Sequence, residues 1–499
     1  MSSAQAGHVG FHLEIEGVNQ DEFSVVEFSG HEGMNEDFSF RILLISKKSD
    51  IEPSRFLHRR ATFRIESRRE GDPSRVPYHG QLGEFWVRHQ VAPYTYYEAL
   101  LVPRFHRLSL SNFSEVYTLE KGIPEILEDV LKDYGLTTED YQFRLGESYR
   151  PRSFVCQYAE SSHTFVDRWV EREGIAYYFD QEGEKDRIVF YDQPHQKPSW
   201  TRTLQYRPPG EFDVGLSNDS LQEWVQRVSL LPSRVVVQNF NYRKANLNIE
   251  ESEVLDSRGK GVVQSYGGNL RTNAEAKKQA TLLAETLKAG MKIFEGKCTA
   301  TGIRAATTIH VKSHFRNEHN GSFFVTSVRH QGTQAAFLLS GVDAHSTEEQ
   351  RQTRYEAVFS AIPSDVHFRP QRKTPWPRVP GVVTAVIDAE GSGKFAELNE
   401  YGEYKLAFPF VLQKKRPQKG SGWVRLATPL AGEDNGIHFP IHKNTEVLVS
   451  FVNGDPDQPV IVGALHNSES RNLISNMNPE KNIIRSAGGH FLMFNDGNI

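Results

Sequence analysis

Cysteine is almost missing from this chain. Two cysteines, Cys156 and Cys298, occur in 499 residues, far apart and in no CxxC pair. So few in a long chain fit a reducing compartment, or a design indifferent to oxidation. Long apolar runs are missing as well. None approaches the ~20 residues of a membrane-spanning helix. The start, Met1-Ser-Ser-Ala-Gln-Ala-Gly-His8, has neither a basic nor an apolar signal region. The expectation is synthesis in the cytoplasm, with any exit made without a standard secretory signal. A strong charge of one sign is absent too. The net charge of −5 does not point to a nucleic-acid partner.

The signatures of catalysis are also lacking. There is no Gly-x-Ser-x-Gly elbow, no phosphate-binding loop and no His-Glu-x-x-His. Gly391-Ser-Gly-Lys394 has the flavour of a phosphate loop without its spacing. Carboxylates are many, and none is marked out as an acid/base couple. The 19 histidines are scattered. His310 and His314, with His319 beyond, are the best metal candidates. Residues 307–312 read as a strand, however, and strand residues four apart are separated by about 13 Å, too far for one ion. No catalytic residue, metal or cofactor is expected.

What is present is β-structure in quantity, over a length that suits roughly three or four domains. Phe11, Leu13 and Ile15 alternate with polar residues, as do Phe38, Phe40 and Ile42. Ala61–Ile65 and Tyr94–Pro103 are further strands. Punctuation by Gly30, Gly33, Pro53, Gly71, Pro73, Gly80 and Gly83 suggests an antiparallel barrel over 1–115. The period then changes. Ile123, Leu127, Val130, Leu131 and Tyr134 share a helical face, with Pro124 at its first helical position and Gly135 just past its end. A second helix runs from about Ser162, buries Phe165, Val166, Trp169 and Val170, and stops at Gly174. Strands Ile175–Phe179 and Ile188–Tyr191 follow, so 116–200 reads as a small α+β insertion.

Residues 201–362 read as a second barrel with one helix. Its strands are placed at 221–240, with Val235–Val237 the clearest core run, and at 297–300, 308–312, 322–328 and 336–340. Its helix is N-capped by Asn273, ends before Gly290, and has Ala276, Ala280, Leu283 and Leu287 on its apolar face. A proline-rich stretch, 363–380, reads as a stiff linker carrying Trp376 beside Arg369, Arg372, Lys373 and Arg378. An aromatic among cations can contact nucleic acid, but in an acidic chain a linker pinned onto its neighbours is the better reading. Five strands over 381–467 fit an OB-type barrel: 382–387, 404–410, 422–427, 445–452 and 460–465. The last stretch, 468–499, is strand-like, ends mid-pattern and bears apolar residues that invite pairing with another chain.

The stretch Thr445–Gly463 organises the rest. Val447, Val449 and Phe451 point one way, and Leu448, Ser450 and Val452 the other. Asn453-Gly454-Asp455-Pro456-Asp457 is dense in turn residues, and Pro459 opens a second apolar run. Asp455 and Asp457 lack the further spaced acids of a calcium loop. With Phe439-Pro-Ile-His-Lys-Asn before it and Ala464-Leu-His-Asn467 after, this segment resembles VgrG, the spike family of type VI secretion systems, itself similar to fused hub and spike proteins of contractile phage tails. Tyr355–Pro363, Arg369-Pro370, Val379–Val386, Glu400–Phe408, Trp423–Ala427, Phe154–Tyr158 and Ser161–Phe179 extend the resemblance, which covers about residues 9–499. Where relatives often carry Gly before the Glu-Val pair this chain has Asn444, which tolerates left-handed φ. Asn399-Glu400 stands where relatives often have Thr-Asp-Glu.

The resemblance implies a mainly β homotrimer: two hub-like β-barrels, a small α+β insertion, an OB-fold neck barrel over 381–467, and from 468 the start of a triple-stranded β-helix. The shaft is expected to be truncated at 499. It implies partners: the hexameric Hcp tube, a PAAR-repeat tip protein, baseplate proteins, effectors and, transiently, a target cell envelope, but no nucleic acid. Its structural motif residues map to Glu446, Val447, Val449, Phe451, Gly454, Asp455, Pro456, Asp457, Pro459, Gly463 and Asn467. The implied role is mechanical and non-enzymatic, cytoplasmic before firing and then secreted by the type VI machinery. The alternatives are the spike of a phage tail or extracellular contractile injection system, a cell-wall-degrading spike enzyme, and a free carbohydrate- or peptide-binding OB module.

Overall fold

The computed structural model describes residues 9–67, 73–118, 120–208, 220–334, 354–389, 393–412 and 420–498. The expected strand at 336–340, Gly71 and part of Gly391–Lys394 lie outside them. The chain divides into two units. One is built from Met1–Leu108, Leu131–Ser148 and Val166–Thr374, the other from Ser109–Val130, Tyr149–Phe165 and Pro375–Ile499. No helix among the described residues is long and apolar enough to cross a membrane.

The first unit is built around one 12-stranded sheet. Six strands form a half-barrel in the order Val9–Ile15, Arg60–Ser67, Arg75–Val91, Tyr94–Val102, Glu36–Ser46 and Ser24–Gly33. Ser24–Gly33 then pairs antiparallel with Gly321–Thr333. From there the sheet runs through Thr308–Lys312, Thr201–Tyr206, Ser220–Val228, Lys292–Cys298 and Arg354–Pro363, which returns to Gly321–Thr333 and closes a six-strand barrel. The two expected hub barrels are therefore a half-barrel and a closed barrel sharing one sheet. Their inward rows, including Phe11, Phe40, Phe63, Trp224, Phe294 and Phe359, form one continuous core.

Val235–Val237 is not in the barrel. It lies in a separate three-stranded sheet of Arg234–Asn239, Ile249–Val254 and Val262–Tyr266. Against this sheet packs the 17-residue helix Asn273–Ala289, through Ala276, Ala280 and Ala284 with Leu283 and Leu287 at the margin. The helix N-cap is Thr272, not Asn273. Thr272 keeps extended backbone and its hydroxyl accepts from the Glu275 amide, whereas Asn273 is already helical.

The segment 116–200 contributes to both units. Tyr141–Arg144, Ala176–Asp180 and Arg187–Tyr191 form a sheet in the first. The pair Phe113–Tyr117 and Val155–Glu160 lies in the second. The expected helices are found at Ile123–Asp133 and Ser162–Glu173, followed by Gly135 and Gly174 at φ +72°. Pro124 is the second residue of its helix rather than the first.

In the second unit five strands run in the order Lys405–Ala407, Val382–Asp388, Glu446–Phe451, Pro459–Leu465 and Arg425–Leu426. Paired backbone bonds of 2.9 and 2.8 Å between Tyr404 and Val424 join the two ends and close the barrel. Two of the strands are shorter than the apolar runs at 404–410 and 422–427 suggested. The final stretch is a hairpin, not one strand. Lys481–Arg485 pairs with Phe491–Asn495, because Gly489 at φ +90° lets the Ser486 amide reach the His490 carbonyl at 2.8 Å. Its Ile484, Phe491, Leu492 and Phe494 are each more than half exposed.

Candidate functional site

The hairpin Glu446–Phe451 and Pro459–Leu465 lies at the centre of the five-stranded barrel. Val447, Val449 and Phe451 point into its core with Ile461 from the opposite strand. Burying each contributes roughly 1.5–3 kcal/mol. Leu448 pairs with Gly463 and Val449 with Ile461, so Val462 is the extra residue of a bulge. At the open end, Asn467 Nδ2 donates to Glu446 Oε2 at 3.0 Å, and Asn467 Oδ1 accepts from the Glu469 and Ser470 amides. Asn444, which leads into the hairpin, adopts φ +65°.

The turn at the other end gathers the remaining motif residues. Asn453 and Gly454 take φ of +55° and +72°, and Pro456 is buried. Asp455 is a three-way acceptor. Its Oδ1 accepts from the Trp376 indole at 3.0 Å and from the Asp457 amide at 3.1 Å, and its Oδ2 accepts from Gln458 Nε2 at 2.7 Å. Asp457 is 5% exposed, and its Oδ1 accepts from the Cys156 amide at 2.7 Å. The linker adds two further bonds. Val379 N donates to the Gly454 carbonyl at 2.9 Å, and Arg378 Nη1 donates to the Asn453 carbonyl. Phe154, Cys156 and Val116 share the barrel's core.

The turn is thus a fastening point for the linker and for the strand Val155–Glu160. Its carboxylates accept from N–H donors, which holds chain segments in place. Linker residues 363–374 are bonded within the first unit. There Arg369 donates to Glu285 Oε2 and to the Gly174 and Asp192 carbonyls, and Thr374 donates to Glu171. The basic and aromatic linker residues are therefore spent on the protein itself. Trp376 and Cys156 as partners of the turn were not read from the sequence. The available signal was a pair of aspartates in a β-turn, one of which had to be buried and needed donors from elsewhere.

The histidine candidates fall differently from the strand extrapolation. The chain leaves the strand after Lys312, with Ser313 at φ +66°. His314 therefore turns away from His310, and its ring lies 4.7 Å from that of His319. His310 bonds Ser322 Oγ instead. Among the described residues no three metal-ligating side chains converge.

The sequence profile of the phage tail baseplate hub (GPD) family matches residues 31–336, more than half of the chain. The chain belongs to that family. A second profile, the type VI secretion system/phage-baseplate injector OB domain, matches residues 405–466 of this hub-family chain and includes the hairpin. Type VI secretion system spike protein VgrG5 of Pseudomonas aeruginosa is 29% identical over 480 residues, covering 94% of this chain and 59% of the relative. VgrG3 of Vibrio cholerae is 24% identical, covering 92% and 45%. The chain spans about three-fifths of the length of the first such relatives. In fold it is similar to an Escherichia coli type VI secretion component described as resembling the T4 phage tail proteins gp27 and gp5. That match has a TM-score of 0.65 and 20% identity, covering 91% of this chain and 99% of the other. A VgrG in complex with PdpA matches with a TM-score of 0.63 and 9% identity, covering 99% and 94%.

Proposed function

We propose that this chain is the hub and neck of a type VI secretion spike, a trimer that docks on the Hcp tube and carries a PAAR tip and effectors into a target cell. The observation that carries the reading is the joining, in one chain, of a hub-family 12-stranded sheet to an OB barrel. Relatives named as spike proteins align over more than nine-tenths of it. The division at 115, 200, 362, 380 and 467 into hub barrel, insertion, second barrel, linker, neck and shaft start belongs to this proposal. So do the structural roles of the hairpin residues Glu446 to Asn467.

The role is mechanical. Force on such a spike is borne by packed sheets and by fastenings such as the turn 453–457, and the proposal assigns the chain no reaction. The apolar hairpin at 481–495 supports oligomerisation, because side chains as exposed as Phe491 and Phe494 are stabilised by a covering surface. In this reading the covering surface is the same hairpin of two further copies at the start of a shaft. The protein is cytoplasmic before firing and leaves through the machinery it caps.

Light scattering over a range of concentrations tests the proposal. A stable mass of three chains is expected. A monomer from this chain, and again from one extended beyond residue 499, would overturn it. Clear hydrolysis of purified cell wall would overturn the non-enzymatic part.

A further inference from the structure

One end of the closed barrel is covered by the loop 313–320, which connects the strands Thr308–Lys312 and Gly321–Thr333. The loop is held by its own bonds. His314 N donates to Asn320 Oδ1 at 2.8 Å, Asn320 Nδ2 donates to the His314 carbonyl at 3.0 Å, and His319 N donates to the Arg316 carbonyl at 3.0 Å. It carries two histidines inward, His314 at 6% and His319 at 5% exposure. Their rings lie 4.7 Å apart within an aromatic cluster. Tyr206 is 4.3 Å from His314, and Phe294 is 5.4 Å from His319. The Trp224 indole donates to the His319 carbonyl at 3.3 Å.

The position of the His319 proton is constrained. Gln226 Oε1 only accepts, so His319 carries its proton on Nε2, 3.1 Å away. His319 Nδ1 is buried and has no hydrogen-bond partner among the described residues. His314 Nδ1 accepts from the Arg316 amide at 3.1 Å. A second proton on His319 would therefore be buried against a neighbouring imidazole and apolar rings. The charged groups facing it are Arg316 and Glu318 from its own loop, paired at 2.8 Å, and Lys292 from the adjacent strand. Tyr206, Trp224 and Gln226 on the other packed strands bring no charge. Burial lowers the His319 imidazole below the usual histidine range, the His314 ring and Arg316 lower it further, Glu318 opposes them, and Lys292 adds a smaller push downward.

We propose that loop 313–320 is an acid-released plug on the end of the closed barrel, with His319 as the proton acceptor that ejects it. Above the free histidine's titration point neutral His319 packs against the barrel's aromatic rings and the loop is closed. Below it, His319 takes up its second proton more readily in water than in the closed loop, and leaving the barrel uncovers Trp224 and Phe294. The linkage sign follows. A folded-state pKa below the free value means the open loop binds more protons, so closure weakens as pH falls.

Hydrogen exchange of the full chain, followed by mass spectrometry and corrected for intrinsic rates, tests this. From about pH 7.5 to about pH 5, peptides covering 313–320 are expected to open more, by up to about tenfold per pH unit below the free titration point. Peptides from Tyr94–Val102 are expected not to change. His319→Gln should keep the loop protected at the lower pH. Arg316→Gln, at an exposed side chain, should move opening to lower pH without disturbing the fold. Equal protection of the wild-type loop at both pH values would overturn the proposal. So would an unchanged pH response in His319→Gln, or in Arg316→Gln if the first variant does not fold.

Discussion

The indole of Trp376 donates a hydrogen bond to Asp455, 79 residues further along the chain, at 3.0 Å. That bond ties Trp376 of the proline-rich segment to the turn of the central hairpin of the five-stranded barrel. Trp376→Phe removes the donor and keeps most of the ring. A loss of about 1 kcal/mol is expected in urea unfolding of the transition that reports the OB barrel. Asp455→Ala removes the acceptor for three donors and should cost about 1–3 kcal/mol. The double variant should be less destabilised than the sum of the two. Strict additivity would show that the bond contributes nothing.

Asp457 should matter as much, for a different reason. Replacing it with Ala leaves the buried Cys156 amide without its 2.7 Å acceptor. A loss of about 1–3 kcal/mol is expected. Cys156→Ala keeps that amide and should cost less. Thermal unfolding of the two variants side by side decides the ranking, and the reverse order would refute the role given to Asp457.

Asn444 stands at φ +65°. Glycine adopts that region without strain, so Asn444→Gly should be nearly neutral. Asn444→Ala should cost about 1 kcal/mol. Equal melting temperatures for the two variants would contradict the strained geometry.

Glu36 should contribute to an acid limb in the stability of the first unit. Glu36 is held down to about 2 from 4.5, first by its hydrogen bond from His31 and then by Lys373. Because the folded value lies below the free one, its contribution is complete above pH 4.5 and is lost as pH falls toward about 2. Glu36→Gln should flatten that limb of the melting curve against pH. His367, lowered to about 4 by burial and then by Arg369, acts in a higher window. The fold holds it neutral, so stability falls as pH drops from 6.5 toward about 4, and His367→Gln should remove that slope.

Local alternation and turn chemistry carried much of the architecture. Val447, Val449 and Phe451 face the core as their period of two requires, and Gly135 and Gly174 stop their helices with left-handed backbone. The order of the strands was not readable in this way. Periodicity says which face of a strand is apolar but not which strand lies beside it. That the half-barrel and the closed barrel share a sheet through Ser24–Gly33 and Gly321–Thr333 was decided by long-range pairing. The same holds for Val235–Val237, whose apolar run suits a barrel as well as the separate sheet beneath the helix Asn273–Ala289.

The sequence by itself determined the β-rich class, the family motif and the hairpin, because these rest on residues within a few positions of one another. Only the tertiary structure decided which groups the hairpin's two aspartates hold. A buried carboxylate must find donors, and the donors here, Trp376 and the Cys156 amide, are brought from 79 and 301 residues away by packing that no local pattern records.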